Sequence, residues 1–259
     1  MSDLAHTPPP ADLDWRSWVE RWDRMQERYL MRRDERFAVI VRTLAAVAGD
    51  APRVVDLGCG TGSLAVAVLE ALPRATVVGV DFDPTILWLA RERLRPFGER
   101  ARLQLTDLRE PAWPEAVGAP VDAAISATAL HWCGPEQLAA IYGHAARALR
   151  HGGLFLNADH VGSDSPAIQG EWERHRAAMR EREADPASDD WNGFWAAYSE
   201  ALGLDLRSLD QRVPGGWVGG SDIGLPLAWH LDRLRAAGFG HVDCFWRLDC
   251  DAVYGGVRS

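Results

Sequence analysis

Trp15, Trp18, Trp22, Met25 and Tyr29 recur every three or four positions, which predicts an amphipathic helix. A second helical stripe runs through Phe37, Ile40, Val41 and Leu44 and stops near Gly49. From Arg53 the period changes. Val54-Val55 opens an apolar strand, Ser63 to Leu72 reads as a helix stopped by Pro73, and Thr76 to Val80 is a β-branched strand. Asp83-Pro84 supplies an N-cap with proline at the first helical position, launching a helix to about Leu94. Strands are predicted at Arg102 to Thr106 and Val121 to Ser126. A helix then carries Leu138, Ile141, Tyr142 and Leu149 from Gly134-Pro135 to a cap at Gly152-Gly153, and Leu154 to Ala158 forms a fifth strand. Such alternation implies a parallel sheet covered on both faces.

Residues 161–224 break this rhythm. A charged helix from Glu171 to Glu183 and an aromatic one with Trp191, Trp195 and Tyr198 lead into the glycine-rich stretch Pro214 to Gly220. The segment reads as a cap inserted over the sheet. The alternation resumes with a helix near Leu227 to Ala237, Gly238 as its cap, and strands at 241–248 and 252–258. With neither a repeat nor a clear linker, residues 1–259 are expected to form a single domain. It divides into N-terminal helices (1–49), a core (50–160), the cap (161–224) and a C-terminal helix with a strand pair (225–259).

Composition narrows the function classes. The net charge of −9 and the absence of a basic block leave little sequence-independent attraction for phosphates, so no nucleic-acid partner is expected. Met1 to Pro10 has no apolar leader core, and no run reaches about 18 apolar residues, so a cytoplasmic protein with no membrane partner is predicted. Cys59, Cys133, Cys244 and Cys250 form no C-x-x-C pair and read as free thiols, with no metal site. The chain carries 12 tryptophans, of which those at 15, 18, 22, 191 and 195 lie outside the core segment. They are read first as packing for accessory helices and second as the lining of an apolar substrate pocket.

The chemistry begins at V-V-D-L-G-C-G-T-G-S-L, Val54 to Leu64, between a strand and a helix. Gly58, Gly60 and Gly62 let the backbone turn sharply and approach a ligand, with Cys59 kept small between them, and the helix N-terminus offers free N–H groups. Asp81 ends the second strand, where a carboxylate can accept both hydroxyls of a ribose. The dinucleotide fingerprint places its third glycine one residue later, and Ser63 stands there. Asp56, two residues before the first glycine, also suits a cationic ligand better than a pyrophosphate.

These residues resemble the class I S-adenosylmethionine-dependent methyltransferases over roughly residues 50–160 and the C-terminal tail. Asp56, Gly58, Gly60 and Gly62 match the family's first motif, Asp81 its second and Asp107 in L-Q-L-T-D-L its third. The segments A-T-A-L-H-W (127–132) and A-L-R-H-G-G-L-F-L (148–156) match its small-molecule members. The resemblance implies a seven-stranded α/β sheet in the order 3-2-1-4-5-7-6 with the seventh strand antiparallel, and S-adenosylmethionine across the ends of strands one to four. Phe82 would then flank the adenine or ribose, Leu108 would pack on the base, and Asp107 would meet the adenine amino group. Gly58 and Ala127 would approach the methionine part. One of Tyr29, Arg33 and Arg36 would bind the methionine carboxylate, since an arginine fork matches it.

An activated methyl group needs mainly alignment and a deprotonated acceptor. For a hydroxyl acceptor a histidine is the expected general base, and His160 is favoured, with His131 second and His230 more remote. His6, His144, His151, His175 and His241 read as surface or structural. No N-P-P-Y-type run follows strand four, which weighs against amine and amide acceptors in nucleic acids or glutamine. Together with the acidic charge and the aromatic cap, this favours a small apolar or amphipathic metabolite as acceptor, with O-methylation the first choice. C- or N-methylation of a metabolite or peptide, a cofactor-binding protein that transfers no methyl, and a nucleotide-dependent oxidoreductase remain alternatives. Oligomeric state is left open.

Overall fold

The computed structural model describes residues 10–183, 185, 187–205 and 224–259. Two helices lead, α1 (Trp15–Glu27) and α2 (Arg33–Ala48). The core then runs β1 (Arg53–Leu57), α3 (Ser63–Ala71), β2 (Thr76–Asp81), α4 (Pro84–Leu94) and β3 (Ala101–Leu105). It continues with a short α5 (Trp113–Ala116), β4 (Val121–Ala127), α6 (Pro135–Ala148) and β5 (Leu149–His160). Helices α7 (Pro166–Glu183) and α8 (Trp191–Leu202) form the described part of the cap, and α9 (Leu227–Ala236), β6 (Phe239–Leu248) and β7 (Asp251–Arg258) follow.

The seven strands form one sheet in the order β3-β2-β1-β4-β5-β7-β6, parallel except for β7, which runs antiparallel to β5 and β6. Both faces are covered, which is why these strands read as apolar runs rather than alternations. Val55 and Leu57 of β1 pack with Ile141 and Tyr142 of α6 on one face. Their neighbour Val54 packs with Ile40 and Leu44 of α2 and Val68 of α3 on the other.

Two expectations near β5 are corrected. Gly152-Gly153 do not cap α6. The helix ends at Ala148, and Leu149 turns extended at φ −83° and ψ 147° because it pairs with Val121 as the first residue of β5. Gly152, at φ 73°, accommodates the irregularity before Leu154 pairs with Ala123. At its other end β5 runs past Ala158, since its ladder with β7 continues to the His160–Asp251 pair. Asp159 and His160 are thus strand residues rather than loop residues.

The cap leaves and re-enters the core at one place. Gly162 N donates to Leu225 O at 2.9 Å, and Gly162 bridges to Pro226. Gly224 takes φ 73° there, and a Cβ on it would lie 2.3 Å from His160 O, so this close approach needs glycine. The helix predicted from Glu171 begins earlier, at Pro166. The Pro214–Gly220 stretch lies outside the described residues. Helices α1 and α8 meet over α4 in one aromatic cluster, in which Trp22, Phe194 and Tyr198 join Ile86, Trp88 and Leu89. Among the described residues no helix is long and apolar enough to cross a membrane.

Candidate active site

A cleft of about 940 Å³ opens at the carboxyl ends of β1 to β4, beneath α1, α7 and α8. That is the upper end of the roughly 300–1,000 Å³ range of small-molecule sites. Its floor is the glycine loop. Gly58, Gly60 and Gly62 all take positive φ, of 66°, 53° and 81°. A Cβ on Gly58 would meet Ala129 Cβ at 2.4 Å, so the first glycine brings the loop against the turn after β4. Cys59 is buried against Leu87 and Ala90, which leaves no room for a larger side chain.

Asp81 braces this loop: its carboxylate accepts from Gly60 N at 2.9 Å and from Asp83 N at 3.1 Å. Burial pushes its pKa up to about 6, against the pull of those N–H donors. Asp56 is more exposed to the same effect. Burial, then the charge of Asp81, pushes it up to about 7, and its Oδ2 is buried with no hydrogen-bond partner. Two carboxylates crowded in a desolvated loop are costly alone and are relieved by a cation beside them. The site therefore fits a ligand that is cationic, carries hydroxyls for Asp81, and lies on glycines.

Phe82, Asp107, Leu108 and Ala127 line the same cleft. Asp107 accepts from Arg109, at 2.9 Å from both the Arg109 N and Nε, so its carboxylate is held in place by a neighbouring cation that the sequence did not single out. At the N-terminal side the three candidates separate. Tyr29 and Arg33 line the cleft, Arg33 pairing with Asp23 at 3.2 Å. Arg36 does not reach the cleft: it is 2% exposed and its guanidinium turns to Asp251 at 3.4 Å, so it is a buried ion-pair member beneath the floor.

Both histidine candidates line the cleft, their ring centroids 4.9 Å apart. His131 follows β4, and Thr128 at φ 51° starts the turn that delivers it. Its Nδ1 lies 2.7 Å from Asp159 Oδ1, and its N–H donates to Asp159 Oδ2 at 3.1 Å. Burial would raise the pKa of Asp159, yet His131 and His160 hold it well below the usual carboxylate range. A carboxylate on Nδ1 orients the ring and leaves Nε2 for the cleft. His160 is tied differently. Its Nδ1 lies 2.7 Å from Asp251 Oδ1, and Arg176 Nη2 stands 3.2 Å from Nε2. Burial lowers its pKa against the Asp251 bond, and the charges of His131 and Arg176 lower it further. Both ring nitrogens of His160 are thus engaged by neighbouring side chains. His230 is buried and hydrogen-bonds Tyr142 Oη at 2.7 Å through Nδ1.

Arg176 and Arg180, four residues apart on α7, line the cleft, and Arg180 lies 5.4 Å over the Tyr29 ring. Trp22, Trp132, Trp191 and Trp195 line it too, whereas Trp15 and Trp18 pack within the aromatic cluster. No group of histidine, cysteine and carboxylate side chains able to hold a metal occurs among the described residues, and the four cysteines are free.

This fold and loop are those of a nucleoside-binding transferase of the doubly wound class. Residues 54–153 match the family described as "Methyltransferase domain". A curated relative named "Trans-aconitate 2-methyltransferase" from Azoarcus sp. (strain BH72) is 31% identical over 214 residues, covering 78% of this chain and 80% of its own. A protein of the same name from Streptomyces avermitilis is 30% identical, with 71% and 68% covered. The chain belongs to the class I S-adenosylmethionine-dependent methyltransferases, and S-adenosylmethionine is its cofactor. Solved structures repeat the fold. A putative O-methyltransferase from Nostoc punctiforme has TM-score 0.58 at 16% identity, over 94% of this chain and 60% of that one. Human N-acetylserotonin methyltransferase in complex with SAM has TM-score 0.53 at 17% identity, over 96% and 60%.

Proposed function

We propose that this enzyme methylates an oxygen of an acidic small molecule. The observation that carries the reading is a guanidinium set against imidazoles in the cleft: Arg176 lies against His160, whose ring is 4.9 Å from that of His131, and Arg180 lines the cleft four residues further along α7. Arginine matches a carboxylate in shape as well as charge. The relatives whose names specify trans-aconitate, itself an acid, support the same class of acceptor.

Asp56, Asp81 and the glycine loop would hold the cofactor, with Phe82, Leu108 and Asp107 toward its base and Arg33 or Tyr29 toward its carboxylate. When bound, S-adenosylmethionine would supply a sulfonium-activated methyl group to the acceptor oxygen, its sulfur keeping the electron pair of the carbon–sulfur bond. The protein's own task is to orient the acceptor and exclude water. A carboxylate arrives without a proton, so no base is required of His131, which would help to shape the acceptor site.

A hydroxyl acceptor is the second reading, carried by the 2.7 Å His131–Asp159 pair, which is built like a general-base dyad. Incubation with S-adenosylmethionine and panels of acids and alcohols, read as S-adenosylhomocysteine formed per methylated product, tests both. An acid acceptor should give a kcat at saturating cofactor that stays flat from about pH 6.5 to about pH 9, whereas a base-dependent alcohol should climb with pH. Methylation confined to amines or carbon would sink the oxygen assignment.

A further inference from the structure

The acceptor end of the cleft has a second character besides its cations. Trp191 and Trp195 project from one face of α8, with centroids 5.7 Å apart. Trp22 of α1 lies 5.9 Å from Trp191, and Trp132, from the turn after β4, lies 5.9 Å from Trp191 on its other side. All four line the cleft. Trp132 is also 4.9 Å from the His131 ring, so the indole wall begins where the histidines end. The wall is anchored: Trp191 N donates to Tyr29 Oη at 3.0 Å, and Arg180 sits over that tyrosine ring. A charged head and an apolar body are therefore recognised side by side.

We infer that the acceptor is a monocarboxylic acid with a flat apolar body, an inference that rests on the acid reading above. Its carboxylate meets Arg176 and His131, and its body lies along Trp132, Trp191 and Trp195. Two arguments favour one carboxylate over several. Indole faces carry the negative side of the ring quadrupole and repel anions, while they stack well on flat apolar groups. A carboxylate pressed against them loses its hydration with nothing returned.

Naphthylacetate and trans-aconitate, offered separately to the wild-type enzyme with saturating S-adenosylmethionine, decide the matter. The expected result is a kcat/KM at least about tenfold higher for naphthylacetate, the scale of a few stacked aromatic contacts. Equal or faster turnover of trans-aconitate overturns the inference and leaves acid methylation standing. If neither acid is methylated, the acid reading falls and this inference with it. Trp132→Leu and Trp191→Leu keep an apolar side chain without the indole face. Each should raise KM for naphthylacetate roughly five- to tenfold, with a smaller change in kcat. An unchanged KM in both variants also overturns it.

Discussion

Asp56 and Asp81 sit closer to protonation than ordinary carboxylates because the glycine loop buries them together, at about 7 and about 6. A cation bound beside them favours their ionised forms, so its affinity is complete above about pH 7 and declines as pH falls through both values. S-adenosylmethionine should accordingly bind more weakly at about pH 5.5 than at about pH 8, with S-adenosylhomocysteine, which lacks the sulfonium charge, losing less. Calorimetry at several pH values checks this, and parallel pH curves for the two ligands would contradict it. Asp81→Ala should cost about 1–3 kcal/mol of cofactor affinity, the scale of a hydrogen bond to a charged group. At this scale the residues of the glycine-loop end of the cleft were legible because glycine spacing and acidic strand ends follow from backbone geometry. Arg176, Arg109 and Asp251 were not. On the charged helix α7 an arginine reads as solvated, and nothing local reports that His160 lies 3.2 Å away across sixteen residues of chain.

Elements were legible where period and capping agree. Asp83-Pro84 starts α4 as expected, Asp83 Oδ1 accepting from Thr85 N at 2.8 Å. The glycine pair after α6 misled because glycine doublets do end helices, but here strand pairing recruits Leu149 first. Non-local pairing also lengthens β5 to His160, a gain invisible without its partner β7. The accessory helices show how aromatic spacing serves two ends at once. Phe194 is fully buried in α8, 5.8 Å from Trp18, 5.1 Å from Trp22 and 5.7 Å from Trp195. Removing its ring leaves a cavity that these stiff neighbours cannot fill, so Phe194→Ala should destabilise the protein by about 3–5 kcal/mol. Urea unfolding measures this directly, and a loss under about 1 kcal/mol would mean that α8 packs loosely on α1.

For the whole molecule, the question is whether the cap and the core melt together. The aromatic cluster is not confined to the accessory helices: Ile86, Trp88 and Leu89 belong to α4, whose opposite neighbours pack on the sheet. Trp88 lies 6.1 Å from Trp15, and Tyr198 Oη donates to Thr85 O at 2.8 Å, so α1 and α8 are joined to the core by rings and by a buried hydrogen bond. The bridge at Gly162 and Pro226 closes the insertion at its base. A cap tied at both places has no independent core to unfold around, and one cooperative transition is expected for the chain. Six of the 12 tryptophans, at 15, 18, 22, 88, 191 and 195, belong to the cluster of α1, α8 and α4, so fluorescence weights that cluster, while far-ultraviolet circular dichroism reports on the entire fold. The two should give coincident melting curves, and S-adenosylhomocysteine at about 100 times its Kd should raise both by the same amount, equivalent to about 2.7 kcal/mol. An earlier fluorescence transition would instead mean that the cap opens by itself, and the indole wall would then form only when an acceptor closes it.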